Sequence, residues 1–475
     1  MFSMRVRLSA VLCCALVVVG CTSSPTVVEG RAVSMRYDPN RVAGLPASDG
    51  ASGALVGQPS SADRVRNTDG GETDRSALLA IEDIESFWQQ HYHDVFPGTF
   101  ARVSGLVSVD PAESSPEVCG SDPEELAFNA GYCPSEDVIA WDRTGLLPVA
   151  KEFFGDLAVN GLLAHEYGHA LEEKTGSTGD ETPTLVGEQR ADCFAGVYLR
   201  WVAEGSSPRF KLNTTTALDK VLAGAIAIRD RSPSFSVGAE EATHGTALDR
   251  VGAFQQGFDI GSASCAAIDT ADIRNRRGDI PASLFEPSSP QSDMPITTEA
   301  LTSLLQVLNG IFNPASPPVL TEGSSCGTGP AVYCPDTNTI AVDLQALQQL
   351  GTPASEEQHV LLQGDNSAIS VVTSRYMVAL QREKGAQLDS EAASLRTACL
   401  TGVAQSNMAD PAASGNRLVL GAGDIDEAVS GLLTNGIVAS DVNGMTVPSG
   451  FVRILAFRAG LAGNADACYQ RFTSR

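Results

Sequence analysis

The sequence predicts an α+β chain in which one mainly helical unit occurs twice, and three observations carry that prediction. Apolar residues recur at helical spacing over long stretches and gather as strands only near Phe100 to Val109 and Val138 to Trp141. Words of the first half return in the second: Gly131-Tyr132-Cys133-Pro134 through Ile139-Ala140-Trp141-Asp142 recurs as Val332-Tyr333-Cys334-Pro335 through Ile340-Ala341-Val342-Asp343. Four cysteines in each half keep their order at offsets of 207, 201, 206 and 203 residues. A chain of 475 residues with 43% apolar content can bury two such cores of about 190 residues each.

From the N-terminus, Arg5 and Arg7 precede the apolar run Leu8 to Val19, and Val18-Val19-Gly20-Cys21 closes it, the pattern of a secretory signal over residues 1–20. About a dozen apolar residues fall short of the roughly 20 that span a bilayer. The cysteine at the cleavage point resembles a bacterial lipobox, which implies that Cys21 carries a lipid and anchors the chain to the outer face of the cytoplasmic membrane. Residues 21–75 are rich in Ser, Gly, Pro, Asp and Thr without a period, and are expected as a flexible tether. The first unit is expected over 76–275, with helices at Ser76 to Phe96, Leu147 to Thr175, Glu188 to Glu204, Ala217 to Arg229 and Ala247 to Phe258. A linker over 276–296 holds Pro281, Pro287, Pro290 and Pro295, and the second unit fills 297–475.

In the second of these helices, His165-Glu166-Tyr167-Gly168-His169 puts two imidazoles four residues apart on one face, with Glu166 one residue round. Such a pair can share one metal ion. Catalytic zinc takes three protein ligands and leaves a position for water, and two histidines with a glutamate are one of its usual sets. Glu188 and Asp192 lie one turn apart on the next helix, so one can ligate while the other orients. Glu188 is assigned as the third zinc ligand and Asp192 as the acceptor for the far ring nitrogen of one ligating histidine. The reverse assignment stays open. Glu166 then serves as the general base toward zinc-bound water, whose pKa the metal lowers. Tyr167 is expected in the core, and Gly168 to admit a close neighbour. His91, His93 and His359 lack partner spacing and read as surface or satisfied core residues.

HExxH followed by Glu-x-x-x-Asp resembles the gluzincin arrangement of thermolysin-type peptidases, and the surrounding words resemble the bacterial neutral zinc metallopeptidase family. The matching stretches are Tyr132-Cys133-Pro134 with Val138 to Asp142, His165 to Ala170, Glu188 to Gly196, and Thr243-His244-Gly245-Thr246 followed by Arg250 and Phe254. The resemblance implies a zincin-like fold acting on peptide or protein substrates. It further implies an edge strand at Val138 to Trp141, to which an extended substrate adds by main-chain hydrogen bonds. His244 would face the site and stabilise the oxyanion. No spacing rule fixes His244, and an ordinary loop histidine stays open for it. Arg250 reads as a structural partner of a carboxylate.

The second unit is a degenerate copy. Ala191-Asp192-Cys193-Phe194-Ala195-Gly196-Val197 returns as Thr397-Ala398-Cys399-Leu400-Thr401-Gly402-Val403, and Arg250 to Phe254 returns as Arg453 to Phe457. Aligning Glu172 to Gly176 with Gln381 to Gly385 puts Ser374, Arg375 and Val378 at the positions of His165, Glu166 and His169, while Ser394 and Ala398 replace Glu188 and Asp192. No ligand set survives there. Cys399 persists where every ligand position is lost, so Cys193 is structural rather than a ligand.

With Cys13 and Cys14 removed in the signal and Cys21 lipidated, eight cysteines remain, which suits an oxidising compartment. Each copy allows three pairings, and the short loops favour Cys119–Cys133, Cys193–Cys265, Cys326–Cys334 and Cys399–Cys468. A net charge of -25 disfavours nucleic acid and anionic surfaces as partners. The expected activity is that of an extracytoplasmic, lipid-anchored zinc metalloendopeptidase. A binding or scaffold lipoprotein with an idle zincin-like fold is the alternative from another class, and an inhibitory lid is a third role open to the second copy.

Overall fold

Among the described residues, helices with wide apolar faces, one four-stranded sheet, one three-stranded sheet and three two-stranded pairings make a mixed α+β architecture. The computed structural model describes residues 26–28, 31–33, 37–55, 64–113, 117–179, 181–229, 244–285, 294–323, 326–358, 360–414 and 418–473. The signal segment, Cys21 and His359 lie outside the described residues. No helix among the described residues is long and apolar enough to cross a membrane.

In chain order the short strands β1 (Thr26–Val28), β2 (Arg31–Val33), β3 (Arg41–Val42), β4 (Leu45–Pro46), β5 (Gly53–Ala54) and β6 (Val65–Arg66) lead into α1 (Glu72–His91). Then come β7 (Gly105–Val109), β8 (Ala130–Cys133), β9 (Val138–Asp142), α2 (Leu146–Phe154), α3 (Asp156–Thr175) and α4 (Thr184–Ala203). The first half ends with β10 (Phe210–Lys211), α5 (Thr216–Ala227), α6 (Ala247–Ile260), α7 (Ser262–Ala266) and α8 (Thr270–Arg277). The second half runs α9 (Thr298–Phe312), β11 (Val319–Glu322), β12 (Ala331–Cys334), β13 (Thr339–Val342), α10 (Leu344–Leu350) and α11 (Asp365–Glu383). It closes with α12 (Glu391–Met408), α13 (Pro411–Ser414), α14 (Ala422–Thr434), α15 (Gly450–Leu461) and α16 (Ala465–Arg471).

The two halves repeat a local geometry. β9 pairs in parallel with β7 and antiparallel with β8, and β13 pairs in parallel with β11 and antiparallel with β12. α4 packs on α6 with Gly257 against the Cys193 carbonyl, and α12 packs on α15 with Gly460 against the Cys399 carbonyl, approaches that leave no room for a Cβ. The disulfides Cys193–Cys265 and Cys399–Cys468 staple these two crossings, while Cys119–Cys133 and Cys326–Cys334 each hold a strand end. All four pairings match those expected from loop length.

Four expectations need correction. The helix expected over Leu147 to Thr175 is two helices, because Gly155 adopts φ 81°, a left-handed conformation that ends α2 and starts α3 at a new angle. The stretch expected as tether is packed over residues 37–55 and 64–75: Val42 is buried, β5 pairs with β10, β6 extends the sheet beside β7, and Arg64 grips buried Glu85 at 2.6 and 2.8 Å. Polar composition concealed this, because main-chain pairing needs no apolar side chains. In the linker, Ile280, Leu284 and Phe285 are buried, and one apolar core runs through both halves. Finally, β9 is an interior strand of the order β6-β7-β9-β8, so the edge strands are β6 and β8 and not Val138 to Trp141.

Candidate metal centre

Gly168 sets the site. A Cβ there would lie 2.7 Å from the Ala191 Cα, so its absence lets α3 and α4 cross closely enough for side chains one turn away to meet. His165 and His169 on α3 then face Glu188 on α4. Their Nε2 atoms are 3.2 Å apart, His165 Nε2 is 3.3 Å from Glu188 Oε2, and His169 Nε2 is 3.6 Å from Glu188 Oε1. Zinc held at about 2.0–2.1 Å by three tetrahedral donors spaces those donors about 3.3 Å apart. Glu188 Oε2 is buried without a well-formed hydrogen bond, an acceptor left for a cation at the centre of the cluster. The residues present therefore fit a zinc ion, and the structure brings together the three side chains named from the sequence.

The surroundings orient these donors. Asp192 Oδ1 meets His165 Nδ1 at 2.9 Å, and Arg250 Nη2 meets the same oxygen at 2.7 Å, contacts that suit Asp192 to orient the ring with Arg250 as its partner. Burial opposes protonation of His165, but the charge and hydrogen bond of Asp192, aided by Glu188, push the ring up to about 10. Burial also works against the Glu188 charge, yet the close contact and charge of His165, with His169 and His244, hold that carboxyl down at about 2. The cluster favours a positive charge at its centre, either a proton or a cation that displaces it.

Glu166 is buried beside the pair, and its Oε2 accepts the Tyr132 N–H of edge strand β8 at 3.1 Å. His244, just ahead of α6, has its side chain 45% exposed with Nε2 3.9 Å from Glu188 Oε2, so it borders the open side of the cluster. Sequence reasoning missed Glu172, whose Oε2 lies 3.5 Å from His169 Nδ1, within ion-pair reach but without a hydrogen bond. The spacing of three residues on one helix carried that signal. Tyr167 is buried as expected, while His91 and His93 stand at the surface end of α1, where His91 pairs with Asp94 at 3.0 Å.

An apolar cavity of about 650 Å³ reaches His165, Asp192 and Arg250 from the side of α2 and α5. Small residues open it, among them Ala158 and Gly161 on α3 and Gly224 on α5, and Phe154, Val221 and Phe254 line it.

The equivalent region of the second half is filled differently. Arg375, in the position of Glu166, is fully buried and donates to the carbonyls of Ile437, Ser440 and Asp441 and to Ser440 Oγ. Burial lowers its guanidinium to about 10. Ser374 bonds back to its own helix and Ser394 Oγ donates to the Met445 carbonyl, so no donors converge there. Elsewhere in this half, Asp365, Asp424 and Glu427 bring three buried carboxylates together. Asp424 and Glu427 accept main-chain N–H groups of Gly421 and Asn366 at helix starts, and Asp365 accepts from Met294.

Comparison of the chain with protein-family models, curated proteins and solved structures gives no match, so the reading of this site rests on its own geometry.

Proposed function

We propose that the chain is an extracytoplasmic, lipid-anchored zinc metallopeptidase whose second half is a degenerate duplicate of a zincin-like first half. The observation that carries the reading is the convergence of His165, His169 and Glu188 at the spacing of three zinc donors, with a buried Glu188 oxygen left over. A zinc ion bound there would supply a Lewis acid and a water of lowered pKa. Glu166, adjacent on α3 and held by the Tyr132 N–H, is the base that takes a proton from the attacking water and returns it to the leaving amine. His244 is the donor to the oxyanion that develops on the substrate carbonyl, on the open side of the cluster.

Peptide as the substrate class draws on the resemblance to neutral zinc metallopeptidases, and two features support it. β8 is the edge strand nearest Glu166, and an extended peptide can lengthen its sheet. The adjoining apolar cavity suits a bulky apolar side chain next to the cleaved bond. For the duplication, the repeated strand pairing, the glycine crossings and the matched disulfides are the support.

Incubation of the wild type and Glu166→Gln with a peptide library and zinc tests the activity. Cleavage by wild type alone, with zinc retained by both, is the expected result. A wild type that holds stoichiometric zinc and cleaves no peptide would leave the idle scaffold as the better reading.

A further inference from the structure

Two buried aspartates, one in each half, tie the halves together in the same way. Asp219 on α5 accepts the N–H of Gly450, the first residue of α15, at 2.8 and 3.0 Å. Asp426 on α14 accepts the N–H of Ala247, the first residue of α6, at 2.9 Å. The supporting helices correspond at three positions, where Leu218, Asp219 and Gly224 match Ile425, Asp426 and Gly431 at a constant offset of 207. Ala247 and Gly450 each stand three residues before the matched arginines Arg250 and Arg453. Each half therefore caps the same helix of the other. That reciprocity has the pattern of an isologous contact, here inside one chain. Arg229 reinforces it from the first half, 3.4 Å from Asp426 and 2.7 Å from Glu356.

The two caps differ in what lies beyond them. One turn past Ala247, α6 carries Arg250, which grips the Asp192 oxygen that orients His165. The matched Arg453 on α15 spends its donors on the carbonyls of Leu432, Val447 and Pro448. We propose that Asp426 is a positioning residue for the metal centre, through which the second half acts as a built-in partner subunit and fixes α6, Arg250, Asp192 and the His165 ring. This rests on the zinc reading given above. It assigns the degenerate half a task that its loss of ligands does not impair.

The full-length chain tests it with three variants. Asp426→Ala removes the acceptor, Asp426→Asn keeps an acceptor oxygen, and Asp219→Ala removes the matching cap on α15, whose Arg453 bonds to carbonyls outside the cluster. The dissociation constant for zinc should rise about tenfold in Asp426→Ala, recover to within about threefold of wild type in Asp426→Asn, and stay unchanged in Asp219→Ala. Both alanine variants should lose similar thermal stability, since they break equivalent contacts. Equal losses of zinc affinity in the two alanine variants, or no loss in Asp426→Ala, overturn the proposal. A wild type that binds no zinc defeats the metal reading separately, and amide exchange then decides the positioning. Faster exchange over 247–252 in Asp426→Ala but not in Asp219→Ala supports it, and equal exchange there overturns it.

Discussion

Asp192 Oδ1 lies 2.9 Å from His165 Nδ1, and Arg250 holds that same oxygen at 2.7 Å. The carboxylate accepts the Nδ1–H, so that Nε2 faces His169 and Glu188 and can hold a metal once it gives up its own proton. Orientation of the ring is thus set by a residue that is not itself a ligand. Asp192→Asn and Arg250→Met should each weaken zinc binding by about 10- to 100-fold without abolishing it. Competition against a chromophoric chelator measures this, and unchanged affinity in both variants would contradict the assignment.

In the proposed mechanism Glu166 carries the proton chemistry and is not one of the three metal donors. Its replacement by Gln keeps an acceptor oxygen for the Tyr132 N–H and removes the base. Peptide hydrolysis should fall by at least about 100-fold while zinc content and fold are kept. A variant that stays active would move the base elsewhere.

The cavity beside His165 owes its volume to small residues. A side chain at Gly224 would start 3.4 Å from Ala158 and 3.8 Å from Phe154. Gly224→Leu should therefore raise KM for peptides with a bulky apolar residue by about tenfold and spare those with a small one, with zinc retained. An equal effect on both peptide classes would separate the cavity from substrate recognition.

The ligand set was legible because it is local. Two histidines four apart, and a Glu and an Asp four apart, need only helical geometry to share a face, and Gly168 marked the close crossing. What was missed depends on distant partners. The break at Gly155 lay inside a continuous apolar pattern, and the rank of β8 outside β9 is a matter of sheet order that alternation does not encode. Residues 37–55 looked unstructured because their pairing with β10 and their bonds from Thr214 and Thr215 use main chain and hydroxyls. Asp219 and Asp426 stand at matched places in the sequence, but their crossed caps exist only once the halves meet.

Burial pushes Asp219 and Asp426 up to about 7 each, against the nearby charges of Arg453 and Arg229. An acid whose folded pKa exceeds its unfolded value of 3.8 keeps its proton in the native state where the unfolded chain has released it. These two groups therefore lower stability as pH rises from about 4 to about 7, and the whole loss is present above that. A variant carrying Asp219→Asn with Asp426→Asn should gain in Tm relative to wild type across this window. Thermal scans at intervals of pH check it, and a difference that stays level or shrinks with rising pH is the contrary result.

Elemental analysis of the purified chain after exposure to zinc and removal of excess metal tests the central claim most directly. One zinc per chain in the wild type, absent from His165→Ala and from Glu188→Ala when both keep native circular dichroism, is the predicted result. A folded wild type without bound zinc, or equal zinc in all three proteins, would contradict a metal centre built from His165, His169 and Glu188.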